Sequence, residues 1–160
     1  MHQLKYAGRP DFARRLVRAG FSESCPNALE RAGLVPVPLH PLRLVERGYN
    51  QAALLARALS SRWQRPVLFH LLERCTSTGA QISRAREERA MNVRDAFIAR
   101  NLPEGAPLDR IWLVDDVVTT GATVEGCRLA LEARGISVAG VVAVSHASRL
   151  ESGKNAIVTG

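Results

Sequence analysis

A chain of 160 residues, 46% hydrophobic and 23% charged, has the size and composition of one soluble domain built around one core. It carries no apolar run near the roughly 20 residues that cross a bilayer and no secretory leader pattern, which sets aside membrane insertion and export and leads to an expected cytoplasmic location. A formal net charge of +7, carried mostly by arginine, suits an anionic partner (a phosphorylated metabolite or a nucleic acid) and equally suits a merely solvated basic surface.

In chain order, residues 10 to 19 predict a short amphipathic helix, with Pro10 in its first turn and Phe12, Leu16 and Ala19 on one face. Leu34 to Pro38 predicts a buried strand ended by prolines. A helix follows from about Asn50 to Trp63, striped by Ala52, Leu55, Ala56 and Leu59. Val67 to Leu72 predicts a further strand. Residues 74 to 94 are charged and lack apolar periodicity until Ala85, which predicts a loop running into a short helix. Ala96 to Ala99 predicts a short strand, and residues 101 to 107 a turn-rich connector.

Ile111 to Val114 predicts a buried strand, Thr123 to Arg134 a helix closed by Gly135, and Val138 to Val144 an apolar strand. This strand, loop, helix, strand order is a βαβ unit with parallel strands. The tail from Ala147 is polar and unassigned. Cys25, Cys75 and Cys127 are scattered, form no CxxC pair and read as small buried hydrophobes in a reducing compartment.

The chemistry concentrates in LVDDVVTTGAT. In an open α/β sheet, ligands sit beyond the carboxyl ends of the strands, and Asp115 and Asp116 follow a strand there directly. Two adjacent carboxylates need donors, and a sugar diol supplies two hydroxyls at suitable spacing. Val117, Val118, Thr119, Thr120, Gly121, Ala122 and Thr123 then form a tight loop opening a helix. Gly121 permits backbone angles that turn N–H groups inward as an anion nest, and the helix N-terminus adds partial positive charge. Diol ligands followed by a phosphate cradle describe a ribose 5-phosphate. The competing account is a loop whose threonines cap a helix and whose aspartates are solvated.

That segment resembles the phosphoribosyl-pyrophosphate motif of type I phosphoribosyltransferases, and the chain as a whole is similar to the ComF competence family, which includes GntX-like proteins. LKYAGRPDFARRL (4 to 16), VPVPLHPLRLVERGYNQ (35 to 51), AQISRAREERAMNV (80 to 93) and the phosphate loop follow in the family's order. Family members usually begin with a zinc ribbon bearing two CxxC pairs, whereas this sequence starts at the LKY segment. The resemblance implies a type I phosphoribosyltransferase-like α/β fold: an open, mostly parallel sheet flanked by helices, with a small hood. Residues 1–160 would form a single such domain, with core about 34 to 146 and hood elements from about 1 to 33 and the C-terminal tail.

The resemblance further implies that pyrophosphate sits against the loop after the first core strand, at Leu39 and His40, with Arg43 and Arg47 holding its phosphates. Four residues apart, those arginines share one side of a helical turn. His40 also reads as a packed turn residue, and Asn50 as a cap for the following helix. Gln81, Arg84, Arg89 and Asn92 match the flexible loop that closes over the active site, although the family's threonine-glycine after the glutamine is missing. The implied cofactor is Mg²⁺, reached from Asp115 and Asp116 indirectly, through ribose or water. The implied partner is phosphoribosyl pyrophosphate or a ribose 5-phosphate nucleotide. In a transferase, Asp115 and Asp116 are the catalytic pair, and catalysis is positioning plus charge stabilisation. Ser145, His146 and Ala147 would floor the acceptor pocket, and they carry no specific base-reading pattern. A second expectation is a non-catalytic accessory of DNA uptake, meeting single-stranded DNA or competence proteins such as a helicase-like partner. A regulatory module is a third, and a homodimer is an assembly open to each.

Overall fold

Apolar residues four apart make the first described segment a helix, α1, Pro10–Gly20, in a computed structural model that describes residues 10–75, 96–103, 108, 110–146 and 156–158. Its buried line is Ala13, Val17 and, just past its end, Phe21. The expected face of Phe12, Leu16 and Ala19 is thus rotated by one residue; Phe12 and Leu16 border the buried line and Ala19 is exposed. A 3₁₀ turn, Asn27–Leu29, leads into β1, Ala32–Pro36, all five residues of which are buried, as befits a strand covered on both faces.

Helix α2, Pro41–Arg47, buries none of its side chains. Helix α3, Gln51–Trp63, buries the expected stripe of Ala52, Leu55, Ala56 and Leu59, and adds Trp63. The Trp63 ring meets Phe21 edge to face at 5.7 Å, and its indole N–H donates to the Ser22 carbonyl at 3.1 Å, which joins α3 to the end of α1.

The strand expected over Val67 to Leu72 is split. Val67 alone bridges β1, in parallel with Leu34, through Leu34 N–H to the Pro66 carbonyl and Leu68 N–H to the Leu34 carbonyl, both at 2.9 Å. Pro66 has no N–H with which to lengthen the ladder, and the chain bends at residues 69 to 71. It re-forms as β2, Leu72–Arg74, which pairs antiparallel with β3, Phe97–Ala99, in a separate two-stranded sheet.

The main sheet has the order β1, β4, β5, β6, all parallel, with β4 Arg110–Val118, β5 Val138–His146 and β6 Ala156–Val158. Helix α4, Ala122–Glu132, links β4 to β5 and completes the expected βαβ unit. The protein is therefore α/β, an open parallel sheet flanked by helices. β6 brings part of the unassigned tail into that sheet. Alternation along β4 feeds two cores. Ile111 and Leu113 pack with Cys127 and Leu131 of α4, while Trp112 and Val114 pack with the α1 and α3 side.

This order positions the site. From β1 the chain moves outward toward Val67, and from β4 it moves the other way, toward β5. The strand order reverses between β1 and β4. In doubly wound sheets the crevice beyond the carboxyl ends at such a reversal is where ligands bind.

Candidate functional site

The motif strand is longer than its apolar run. The sequence predicts a strand ending at Val114 and a loop beginning at Val117, but β4 continues to Val118 because β5 pairs with it throughout. Asp115 lies opposite Ala143, Val117 opposite Ser145 and Val118 opposite His146. The two aspartates are therefore strand residues and leave from opposite faces, Asp115 with Leu113 and Asp116 with Val114. Each carboxylate bends forward onto the next amide. Asp115 Oδ1 accepts the Asp116 N–H at 2.8 Å, and Asp116 Oδ1 accepts the Val117 N–H at 3.0 Å.

Burial above all, and then the negative charge of Asp116, push the Asp115 carboxyl up to about 7. Cys127 lies fully buried on the same side of the sheet. Burial and the Asp115 charge push its thiol well above the ordinary range, so it is a packing residue rather than a nucleophile.

The loop proper is only Thr119, Thr120 and Gly121. Both threonines are exposed, Thr123 is half-buried and Ala122 is exposed in the first turn of α4. Gly121 sits at φ 76° and ψ −5°, in the left-handed region that a Cβ disfavours, and it is the N-cap of α4. Among the described residues no side chain caps that helix. The nearest approach is Ala122 N–H to Thr120 Oγ1 at 3.5 Å, the outer limit of a hydrogen bond. Helix-start N–H groups without a cap, behind a left-handed glycine and flanked by hydroxyls, make an anion-receptive end.

The second loop leaves the sheet beside the first. Pro36 of β1 is in register with Val114 of β4, and the Val37 N–H donates to the Val114 carbonyl at 2.9 Å. Residues 37 to 40 thus depart next to Asp115. Leu39 is half-buried. His40 caps α2, its Nδ1 accepting the Leu42 N–H at 3.3 Å, so the turn role read in the sequence is present. In the neutral ring that bond leaves the proton on Nε2, a donor for an anion. Arg43, exposed, and Arg47, half-buried, both belong to α2, as their spacing predicts.

Asn50 has two tasks. Its Oδ1 accepts the Ala52 N–H at 2.9 Å and caps α3, as expected, while its Nδ2 donates to the Val37 carbonyl at 3.0 Å. The second bond, which sequence reasoning missed, ties the N-terminus of α3 to the loop after β1. The GYNQ segment was the available signal. Its Gln51 is only 3% exposed, and among the described residues its Nε2 has no hydrogen-bond partner.

Gln81, Arg84, Arg89 and Asn92 lie outside the described residues, as does Ala147. The backbone of Ser145 and His146 stands at the carboxyl end of β5, level with the end of β4. Among the described residues no three His, Cys, Asp or Glu side chains gather to hold a metal, and no helix is long and apolar enough to cross a membrane.

No family model matches the chain. Competence protein F of Haemophilus influenzae is 39% identical over 90 residues, which cover 56% of this chain and 39% of that protein. DNA utilization protein YhgH of Escherichia coli K12 is 34% identical over 131 residues, 78% of this chain and 56% of that protein. Competence protein ComFC of Bacillus subtilis is 37% identical over 90 residues, 56% of this chain and 34% of that protein. The chain thus spans between about a third and just over half the length of these relatives. Their similarity supports a ComF-family protein, the family that the motifs resemble.

Proposed function

We propose that this sheet edge binds phosphoribosyl pyrophosphate with Mg²⁺ and that the protein is phosphoribosyltransferase-like, passing the phosphoribosyl group to an acceptor. One observation carries the reading: a carboxylate pair just before the carboxyl end of β4 is followed, after the five residues 117 to 121, by the uncapped N-terminus of α4, beside the reversal of strand order. Asp115 and Asp116 take the ribose hydroxyls. Residues 119 to 123 take the 5-phosphate through backbone N–H groups and threonine hydroxyls. Leu39 N–H, His40, Arg43 and Arg47 face the pyrophosphate end, where guanidinium groups suit paired phosphates.

The donor set fits a divalent cation held through the ligand. Burial first, and then the charge of Asp116, penalise a charged Asp115, and positive charge near the diol offsets both. When bound, Mg²⁺ neutralises the pyrophosphate leaving group. The chain's own contribution is to fix the ribose and the two anionic ends so that C1 is presented to the acceptor.

The names of the relatives support a competence-associated role, and with it a second reading as an accessory of DNA handling. Titration calorimetry with phosphoribosyl pyrophosphate and Mg²⁺, together with a pyrophosphate-release assay over a panel of bases and amines, separates the two. The transferase reading expects micromolar-range binding and release that both collapse at least 100-fold in Asp115→Asn/Asp116→Asn, a loss of about 2.7 kcal/mol or more. Binding without release from any acceptor favours the accessory reading. Absence of binding sinks the phosphoribosyl site altogether.

A further inference from the structure

The head of α3 holds a buried donor with nothing to donate to. Gln51 is the first residue of that helix and is only 3% exposed. Among the described residues, its Nε2 is the one buried side-chain nitrogen or oxygen without a hydrogen-bond partner. Such an atom has lost its bonds to water and gained none from the protein, and native interiors hold few of them. An apolar side chain of the same length would fill the space without that loss.

Its neighbours fix where this donor lies. Asn50 Nδ2 donates to the Val37 carbonyl at 3.0 Å, while the Val37 N–H donates to the Val114 carbonyl at 2.9 Å. The head of α3 therefore meets the chain where it leaves β1. Ala52, on the other side of Gln51, belongs to one buried cluster with Val35 and Val37. Helical side chains lean toward the N-terminus of their own helix, which for Gln51 is the end that carries this contact. The amide is thus buried behind residues 37 to 40, the loop that departs beside Asp115.

The peptides of this loop are trans, and a trans peptide carries its N–H and its carbonyl on opposite edges. A loop peptide that shows its N–H to an anion beyond the sheet edge therefore turns its carbonyl inward, toward the head of α3. We infer that Gln51 is a positioning residue for the pyrophosphate end of the proposed ligand. Its Nε2 takes the carbonyl of the Pro38–Leu39 peptide when the Leu39 N–H turns to the anion, and so holds the loop in its receiving form. The identity of that anion rests on the phosphoribosyl reading. The free protein leaves the donor unsatisfied and the bound protein satisfies it, so the missing hydrogen bond reappears as affinity. That gain is confined to the pyrophosphate end, because residues 115 to 123 hold the ribose 5-phosphate from the neighbouring strand and helix.

Gln51→Met keeps the length of the side chain and removes its donors. Titration calorimetry of the full chain in Mg²⁺, with inorganic pyrophosphate and separately with ribose 5-phosphate, reads the two ends apart. Pyrophosphate affinity should fall about tenfold in the variant, the worth of one buried hydrogen bond. Ribose 5-phosphate affinity should stay within about twofold, as expected for a site that shares no partner with Gln51. Without ligand the variant should melt within about 4 °C of the wild type or above it, since the change removes an unsatisfied polar group. Pyrophosphate bound as tightly by Gln51→Met as by the wild type overturns the proposal. So does an equal loss for both ligands, or melting below that range, because each marks a structural residue whose donor is already satisfied. A wild type that binds neither ligand refutes the phosphoribosyl reading itself, and the role of Gln51 falls with it.

Discussion

Asp115 is a carboxyl held against its own chemistry. Its folded value of about 7 stands above the ordinary 3.8, because burial and Asp116 both penalise the charge. The sign follows directly. A raised carboxyl contributes stability that is fully present below about pH 4 and is lost as pH rises through about 7. Asp115→Asn keeps the acceptor for the Asp116 N–H and removes the charge. Every tenfold gain in proton affinity on folding corresponds to about 1.4 kcal/mol, and partial relaxation around a half-buried site reduces the whole to roughly 2 kcal/mol. The variant should therefore melt some 5 °C above the wild type at pH 8 and within about a degree of it at pH 4. Equal melting at pH 8 would contradict the burial of that charge. Under the proposed function the same variant loses its ligand, so a more stable protein is a less useful one.

At the scale of elements, α2 is the exception. It is seven residues long, buries no side chain and leaves Leu42 67% and Val45 84% exposed. Its order rests on its ends, where His40 caps the first turn and Gly48 closes the last in the left-handed conformation. A helix so short gains little from its own hydrogen bonds. Its amides should exchange with deuterium orders of magnitude faster than those of α3, and phosphoribosyl pyrophosphate with Mg²⁺ should slow them about tenfold through Arg43 and Arg47. Exchange indifferent to that ligand would remove the two arginines from the proposed site.

Much of this architecture is legible in the sequence because burial enforces periodicity. The stripe of α3, an apolar first strand and the strand, loop, helix, strand order of the βαβ unit are read from pattern, although β1 lies at Ala32–Pro36 rather than at 34 to 38. What escapes is set by partners distant in sequence. β4 runs on through two aspartates because β5 pairs with it, and no local propensity signals that. The strand expected at Val67 shrinks to one bridge because Pro66 cannot donate. In the site, the Thr119 to Gly121 turn and the Asn50 cap are visible as residue types. The Asn50 bond to Val37 and the burial that raises the Asp115 carboxyl appear only once β1, β4 and α3 are assembled.

For the whole molecule, the deciding feature is that neighbours in the sheet are remote in the chain. Ala32 pairs with Arg110 and Pro36 with Val114, partners nearly eighty residues apart. Non-local parallel pairing folds slowly, because loop-closure entropy is lost before any contact offsets it. Trp63 and Trp112 are both buried, one on α3 and one on β4, and report the event by fluorescence. Stopped-flow refolding should fall in the millisecond-to-second range, and submillisecond recovery would be incompatible with this topology.

The same register has a consequence during synthesis. When β1 emerges from the ribosome, its strand partner β4 is still unmade. At about 5 to 20 residues per second it waits several seconds for that partner. Through that interval five consecutive residues destined for the interior, Ala32 to Pro36, are without the strand that covers them in the finished sheet. The nascent chain would then depend on a holding factor, or on early α1–α3 packing through Phe21 and Trp63, to keep β1 from pairing with a neighbouring polypeptide.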